Sequence, residues 1–227
     1  MERNPFEQPP VRRSTSTERE LPPEEFIRRK VKAELRKRMR GLRKTTPLTA
    51  CVERSMRIVA KLEAHPLFAR ARRVALFWPI EDRHEVDLRA LDAVLRARGV
   101  AVSYPAIDPE TSLMTFKRVD DPATLEEAGY GFSEPASGAP ITLPGELDTI
   151  IVPALAVDVD GHRIGYGAGY YDRALPPFVP PAVTFVVAYD YQLISEVPVT
   201  EGDVALAWVV TDRRIFPAGA PTSASDA

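Results

Sequence analysis

The segment from Ala154 to Leu175, ALAVDVDGHRIGYGAGYYDRAL, holds the side chains best suited to handling an anion. Gly165, Gly167 and Gly169 recur two apart, so every second side chain is missing and backbone N–H groups can approach a ligand closely. A helix predicted to begin near Tyr170 adds the partial positive charge of its N-terminus. Arg163, just upstream, offers a planar fork for phosphate oxygens. Asp172 is near enough in sequence to hold a divalent cation that bridges phosphates. Together these residues read as a phosphate cradle; the glycines alone also fit a flexible surface turn. The pattern satisfies neither GxxxxGK[ST] nor GxGxxG, which argues against a Walker A loop and a dinucleotide fingerprint.

Other chemistry is thinly represented. His65, His84 and His162 include no pair at metal-ligand spacing, and no GxSxG accompanies them, which argues against a zinc centre and a serine hydrolase. Cys51 is the only cysteine, so no intramolecular disulfide or CxxC knuckle is available and a reducing, cytoplasmic compartment is expected. No stretch approaches the roughly 20 apolar residues that span a bilayer, and the N-terminal residues lack a signal-peptide core, so no membrane partner is expected. Thirty Lys plus Arg against thirty-two Asp plus Glu leave a net charge of -2, so any basic site must be local.

The elements that must carry these side chains follow from apolar spacing. Residues 1–23 and 217–227 mix Pro, Ser, Thr and charges without apolar periodicity and are expected to be disordered tails around one α/β domain over 24–216. Ile27, Val31, Leu35, Met39 and Leu42 mark one face of an amphipathic helix whose other positions are crowded with Lys and Arg, predicting a cationic outer face. Thr46 and Pro47 are predicted to cap and start a second helix that Pro66 ends. Buried strands are predicted over Val74–Trp78, Val100–Tyr104 (closed by Pro105), Leu113–Lys117, Thr149–Pro153, Thr184–Ala188 and Trp208–Thr211, with a helix from Leu88 to Arg98 stopped by Gly99. Strand, helix and strand in that order make a parallel unit, and the alternation predicts a sheet with helices on both faces.

With these elements in place, the chain resembles the 5-formyltetrahydrofolate cyclo-ligase (methenyltetrahydrofolate synthetase) family. The resemblance rests on RIGYGAGYYD, Arg163 to Asp172, and on an ordered series of weaker features: KAELR, HEVD, YGFSEP, IIVPALAVD, AYDYQL, VPVTEGD and VVTD. It implies a three-layer α/β sandwich with a mostly parallel central sheet, NagB/RpiA/CoA transferase-like. It also implies ATP-dependent closure of 5-formyltetrahydrofolate to 5,10-methenyltetrahydrofolate through a phosphorylated formyl group, with ATP as co-substrate and Mg²⁺ required, in a cytoplasmic monomer.

By the same resemblance Lys32, Ala33, Glu34, Leu35 and Arg36 contact the nucleotide. So do Arg163, Ile164, Gly165, Tyr166, Gly167, Ala168, Gly169, Tyr170 and Tyr171. Arg163 and Tyr170 stabilise charge at the reacting centre, and Arg163 and Asp172 are expected to be exposed in the loop. Trp78 and Glu85 hold the reduced pterin, and Asp172 and Asp203 bind the metal. Two alternatives stand beside this reading. Departures from the family pattern at Ala154, Ala168 and Gly202 fit a paralogue with altered folate activity, and the basic helix from Arg28 to Lys44 fits a nucleic-acid-binding protein.

Overall fold

The computed structural model describes residues 22–127 and 131–220. Helices α1 (Pro23–Thr45), α2 (Leu48–Ala64) and α3 (Pro66–Arg70) precede strand β1 (Arg73–Ala75). Helix α4 (Arg89–Ala97) leads into β2 (Ala101–Ile107) and β3 (Met114–Arg118). Two short strands, β4 (Glu126–Glu127) and β5 (Ser133–Glu134), pair with each other before β6 (Thr149–Pro153). The hairpin β7 (Ala156–Val157) and β8 (Arg163–Ile164) runs into helix α5 (Tyr170–Ala174), followed by β9 (Val183–Val187), β10 (Trp208–Val210) and β11 (Ile215–Pro217).

Seven strands form one sheet in the order β11-β10-β9-β6-β1-β2-β3. The five inner strands are parallel to one another, and the two edges, β11 and β3, are antiparallel to their neighbours. Alternate residues of each inner strand serve opposite faces, as the pleat requires. Val74, Ile151, Phe185, Val187 and Val210 pack with α2 and α4 on one face. Ala75, Ile150, Val152, Val186 and Val209 pack under α5 and Phe178 on the other. From β1 the chain moves to β2 and β3 on one side, and from β6 to β9 and β10 on the other. The winding therefore reverses between β1 and β6, which opens a crevice at the carboxyl ends of these strands.

Several expectations need correction. β2 runs through Pro105, because Pro105 lies opposite Phe116, whose carbonyl accepts from the Thr142 amide outside the strand pair, so this register asks no N–H of the proline. Thr46 ends α1 rather than starting α2: its hydroxyl donates to the Leu42 carbonyl, and Pro47 takes the cap position. The residues from Pro217 to Ala220 belong to the domain, since β11 pairs along β10 and the amides of Ala218 and Gly219 donate to Ala207 and Val159. The remainder of both expected tails, 1–21 and 221–227, lies outside the described residues, as does Tyr130 of the YGFSEP feature.

The largest correction concerns α1. Its buried residues are Lys32, Met39 and Arg43, with Leu35 and Arg36 half-buried, whereas Ile27, Val31 and Leu42 are exposed. The helix lies over the β7–β8 hairpin through Leu35 and Met39 and turns part of its cationic face inward. Hydrophobic period alone located only part of the inward side: Leu35 and Met39 of the expected face pack inward, but Lys32, Arg36 and Arg43 share that side with them.

The hairpin that carries Arg163 depends on Gly161. At φ +80° it adopts the left-handed region, and a Cβ there would lie 2.2 Å from the Leu206 carbonyl oxygen. Gly161→Ala is therefore expected to cost at least about 2 kcal/mol, read from the urea midpoint; an unchanged midpoint would contradict this close approach.

Candidate functional site

A cavity of about 440 Å³ fills the crevice beyond the carboxyl ends of β1, β2 and β6. One side is apolar, made by Phe77, Trp78, Pro105, Ile107, Met114 and Phe132. The opposite side is charged. Arg29, Lys32 and Arg36 enter it from α1 at spacings of three and four, the pitch that puts side chains on one helix face, and the 165–172 loop meets them there.

The glycine loop is packed against cations. A Cβ at Gly165 would lie 2.8 Å from the Arg163 Nη1, one at Gly167 3.5 Å from the Arg36 guanidinium, and one at Gly169 2.9 Å from the Arg173 Nη1. The missing side chains thus let three guanidinium groups close on the loop backbone, and Arg36 Nε donates to the Gly165 carbonyl at 3.0 Å. Gly167 and Gly169, at φ +112° and +67°, also take backbone conformations that other residues rarely adopt.

Arg163 is buried, only 8% exposed, and Asp172 is half-buried, so neither is exposed in the loop as expected. Strand β8 alternates, so Ile164 enters the core while Arg163 faces the cavity. The Arg163 Nη2 pairs with Asp172 Oδ1 at 3.1 Å, and its guanidinium carbon lies 5.3 Å from the Tyr171 ring centroid. The Arg163 Nε and the Tyr171 hydroxyl are buried without a hydrogen-bond partner among the described residues. Orphaned donors of this kind are costly unless a ligand meets them. Burial also pushes the Tyr171 phenol up, against the opposing charge of Arg163, so it is a neutral donor.

Lys32 is 5% exposed and forms a short ion pair with Asp203, and it donates to the Thr200 hydroxyl at 2.8 Å. Burial works to raise the Asp203 carboxyl, but the hydrogen bonds from Lys32 and from the Thr200 amide outweigh it and hold the group below its ordinary value. A depressed folded-state value contributes stability that is present above the unfolded value of 3.8 and lost as pH falls through the folded one. Asp203→Asn should remove that acid limb, so wild type and variant should converge in urea stability as pH is lowered beneath this range.

Glu85 also borders the cavity and is 7% exposed. Its Oε2 accepts from the Ile80 amide at 3.0 Å, and its Oε1 accepts from the Tyr166 hydroxyl at 2.5 Å. Arg43, 3% exposed, approaches Oε1 to 3.5 Å and also donates to the Tyr166 hydroxyl in a short hydrogen bond. Burial and the Glu85 charge push the Tyr166 phenol up to about 12, which keeps it protonated at neutral pH. Trp78 both borders the cavity and packs edge-on against Tyr104 at 5.9 Å between centroids.

Of the residues singled out in the sequence, Lys32, Arg36, Trp78, Glu85, Arg163, Gly165, Tyr166, Gly167, Ala168, Gly169, Tyr170, Tyr171, Asp172 and Asp203 all border this one cavity. Ala33 and Glu34 are exposed and do not border it, because a helix rotates about 100° per residue and carries them off the inward face; Leu35 packs with Met39 instead. Sequence reasoning missed Arg29, Arg43 and Thr200. Both arginines lie on the three-and-four spacing that runs from Arg29 through Lys32, Arg36 and Met39 to Arg43, and Thr200 precedes Asp203 by three residues, the spacing of the side-chain-to-amide turn it forms.

Asp172 and Asp203 suit a divalent cation beside phosphates. In each carboxylate one oxygen, Oδ1 of Asp172 and Oδ2 of Asp203, carries the hydrogen bonds found among the described residues, which leaves the other for a cation. Mg²⁺ takes one or two carboxylates together with phosphate and water oxygens, so this donor set fits it.

The sequence model described as the 5-formyltetrahydrofolate cyclo-ligase family matches residues 28–212. The chain is 44% identical over 94 residues to the 5-formyltetrahydrofolate cyclo-ligase of Mycolicibacterium smegmatis, covering 41% of this chain and about half, 48%, of that relative. It is 29% identical over 167 residues to the enzyme of the same name from Escherichia coli K12, covering 72% of this chain and 91% of the relative. The NMR structure of 5,10-methenyltetrahydrofolate synthetase from Aquifex aeolicus superposes with a TM-score of 0.73 at 29% identity, covering 85% of this chain and 95% of that one.

Proposed function

The chain belongs to the 5-formyltetrahydrofolate cyclo-ligase family, whose reaction is the ATP-dependent closure of 5-formyltetrahydrofolate to 5,10-methenyltetrahydrofolate, and we propose that it performs this reaction in the cavity described above. The observation that carries the proposal is the division of that cavity into an apolar wall ending at Trp78 and Glu85 and a cationic wall built from Lys32, Arg36 and the Arg163 loop. A pterin with hydrogen-bond donors on one edge suits the first, and a polyphosphate suits the second.

A formamide carbonyl is a weak electrophile and must be activated. Its oxygen attacks the γ-phosphorus of ATP and ADP leaves; N10 then attacks the same carbon and gives up its proton, and the C–O bond breaks so that phosphate departs as the ring closes. The protein's work is to hold the reactants in line and to meet charge as it develops. Lys32, Arg36 and Arg163 supply fixed cations, and the orphaned Arg163 Nε and Tyr171 hydroxyl are donors in wait for oxygens. Tyr170 borders the same space at the N-terminus of α5 and adds a further phenol beside the loop. Glu85, held by Arg43, Tyr166 and the Ile80 amide, orients the pterin. Asp172 and Asp203 would hold Mg²⁺, which neutralises phosphate charge when bound.

The buried, unpaired Cys51 suits a cytoplasmic setting, and among the described residues no helix is long and apolar enough to cross a membrane. The nucleic-acid reading loses support because Lys32 and Arg43 are buried and Arg36 faces the loop. The test is formation of the methenyl chromophore, followed by near-ultraviolet absorbance with ATP, Mg²⁺ and 5-formyltetrahydrofolate. ATP-dependent product is expected; no product by a folded protein would favour the altered paralogue.

A further inference from the structure

A second cavity, of about 450 Å³, is lined by Arg40, Arg43, Lys44, Asp82, Arg83 and Tyr166. Tyr166 borders both cavities, so its ring is their shared wall. Three guanidinium groups crowd that ring, with carbons 4.7 Å (Arg83), 5.5 Å (Arg40) and 5.7 Å (Arg43) from its centroid. Arg43 is committed to Glu85 and the Tyr166 hydroxyl. Arg40, Lys44 and Arg83 have no carboxylate within ion-pair distance among the described residues, and Asp82 is the one acid on the wall.

The placement of these cations is built into the fold. Arg40 and Lys44 lie one helical turn apart on α1 and project to the same side. Arg40 is tied to the loop by a hydrogen bond of 3.2 Å from its Nη2 to the Tyr166 carbonyl. The turn that carries Arg83 is clamped to α1 from both directions. Arg43 Nε donates to the Arg83 carbonyl at 2.7 Å, and the His84 ring Nδ1 meets the Arg43 carbonyl at 3.0 Å. His84 holds φ +48° in that turn, a conformation a non-glycine residue rarely takes. Like charges gathered around one concavity repel in the empty state and raise the local concentration of an anion.

We propose that this second cavity is an oxyanion subsite, taking a carboxylate or phosphate group between Arg40, Lys44 and Arg83. Two sources fit that chemistry: a carboxylate on the glutamyl end of a folate seated in the main cavity, reached past Tyr166, or a free inorganic phosphate. The first source rests on the function proposed above; the second does not.

The double variant Lys44→Ser, Arg83→Ser tests the proposal, since both residues are exposed and lie outside the main cavity. If the ligand is the substrate's carboxylate, the variant should raise KM for 5-formyltetrahydrofolate about tenfold, leave kcat unchanged, and leave KM for 5-formyltetrahydropteroate, which lacks the glutamyl group, where it was. If the ligand is a free anion, inorganic phosphate titrated calorimetrically into wild type saturated with a non-hydrolysable ATP analogue should bind saturably. The variant should then weaken that binding by about the same factor. Equal KM changes for both substrates, or no change in either measurement with matching thermal melts, would overturn the proposal. A wild type that binds phosphate through these residues yet forms no methenyl product would overturn the folate reading and keep this one.

Discussion

Replacing Arg163 with Gln is expected to lower kcat by about 10²–10³-fold without unfolding the protein. Arg163 borders the cavity and is held beside the glycine loop: its Nη2 rests on Asp172, its Nη1 lies against Gly165, and its Nε is buried without a partner among the described residues. A charged donor held there by packing costs no reorganisation when oxygens of the phosphoryl or formyl group gain charge. Glutamine keeps a polar end and much of the packing volume but loses the charge and the fork. Single-turnover formation of the methenyl product reads the chemical step, and the melting temperature reports the fold. A kcat within tenfold of wild type would show that Arg163 is a structural partner of Asp172 alone. Arg163→Lys should recover only part of the loss, because a point charge cannot meet two oxygens at once.

Replacing Arg43 with Met should destabilise the protein by about 3–5 kcal/mol, measured by urea unfolding. Arg43 and Glu85 are both buried and share the Tyr166 hydroxyl, so removing the cation leaves a carboxylate in a poorly solvated place. The loss of the Arg43 Nε bond to the Arg83 carbonyl also frees the turn that leads into Glu85. Adding Glu85→Gln to Arg43→Met should return much of the stability, since the amide carries no charge to strand. If the double variant is as unstable as the single one, the cost comes from the lost contact with the turn and not from the uncompensated charge.

The expected strands mostly match the sheet. Thr149–Pro153 is reproduced to the residue, because Ile150, Ile151 and Val152 are buried on both faces and a continuous β-branched run has few other stable conformations. The helix at Tyr170 and the stop at Gly99, with φ +72°, were legible for equally local reasons. The orientation of α1 was not. Its apolar residues recur at a helical period, yet the side that turns inward carries Lys32, Arg36 and Arg43, since what lies beneath it is a ligand cavity and the loop around it. The residues between Lys32 and Arg36 illustrate the same limit: a contiguous motif names a segment, and helical rotation then removes Ala33 and Glu34 from the site.

The amino-acid order by itself determined the class of sheet, the glycine loop with its flanking Arg163 and Asp172, and the resemblance that named a reaction. All of these rest on neighbours in sequence, where backbone preference and spacing act directly. Only the tertiary structure decided that Lys32 takes Asp203 as its partner, that Glu85 is gripped by Arg43 and Tyr166, and that guanidinium groups stand opposite each of the three glycines. Those pairings join positions as much as 171 residues apart. They exist because burying a charge is unfavourable until an opposite charge or a hydrogen-bonding group meets it, and which group is within reach is set by the packing of α1 across the hairpin and the switch point of the sheet.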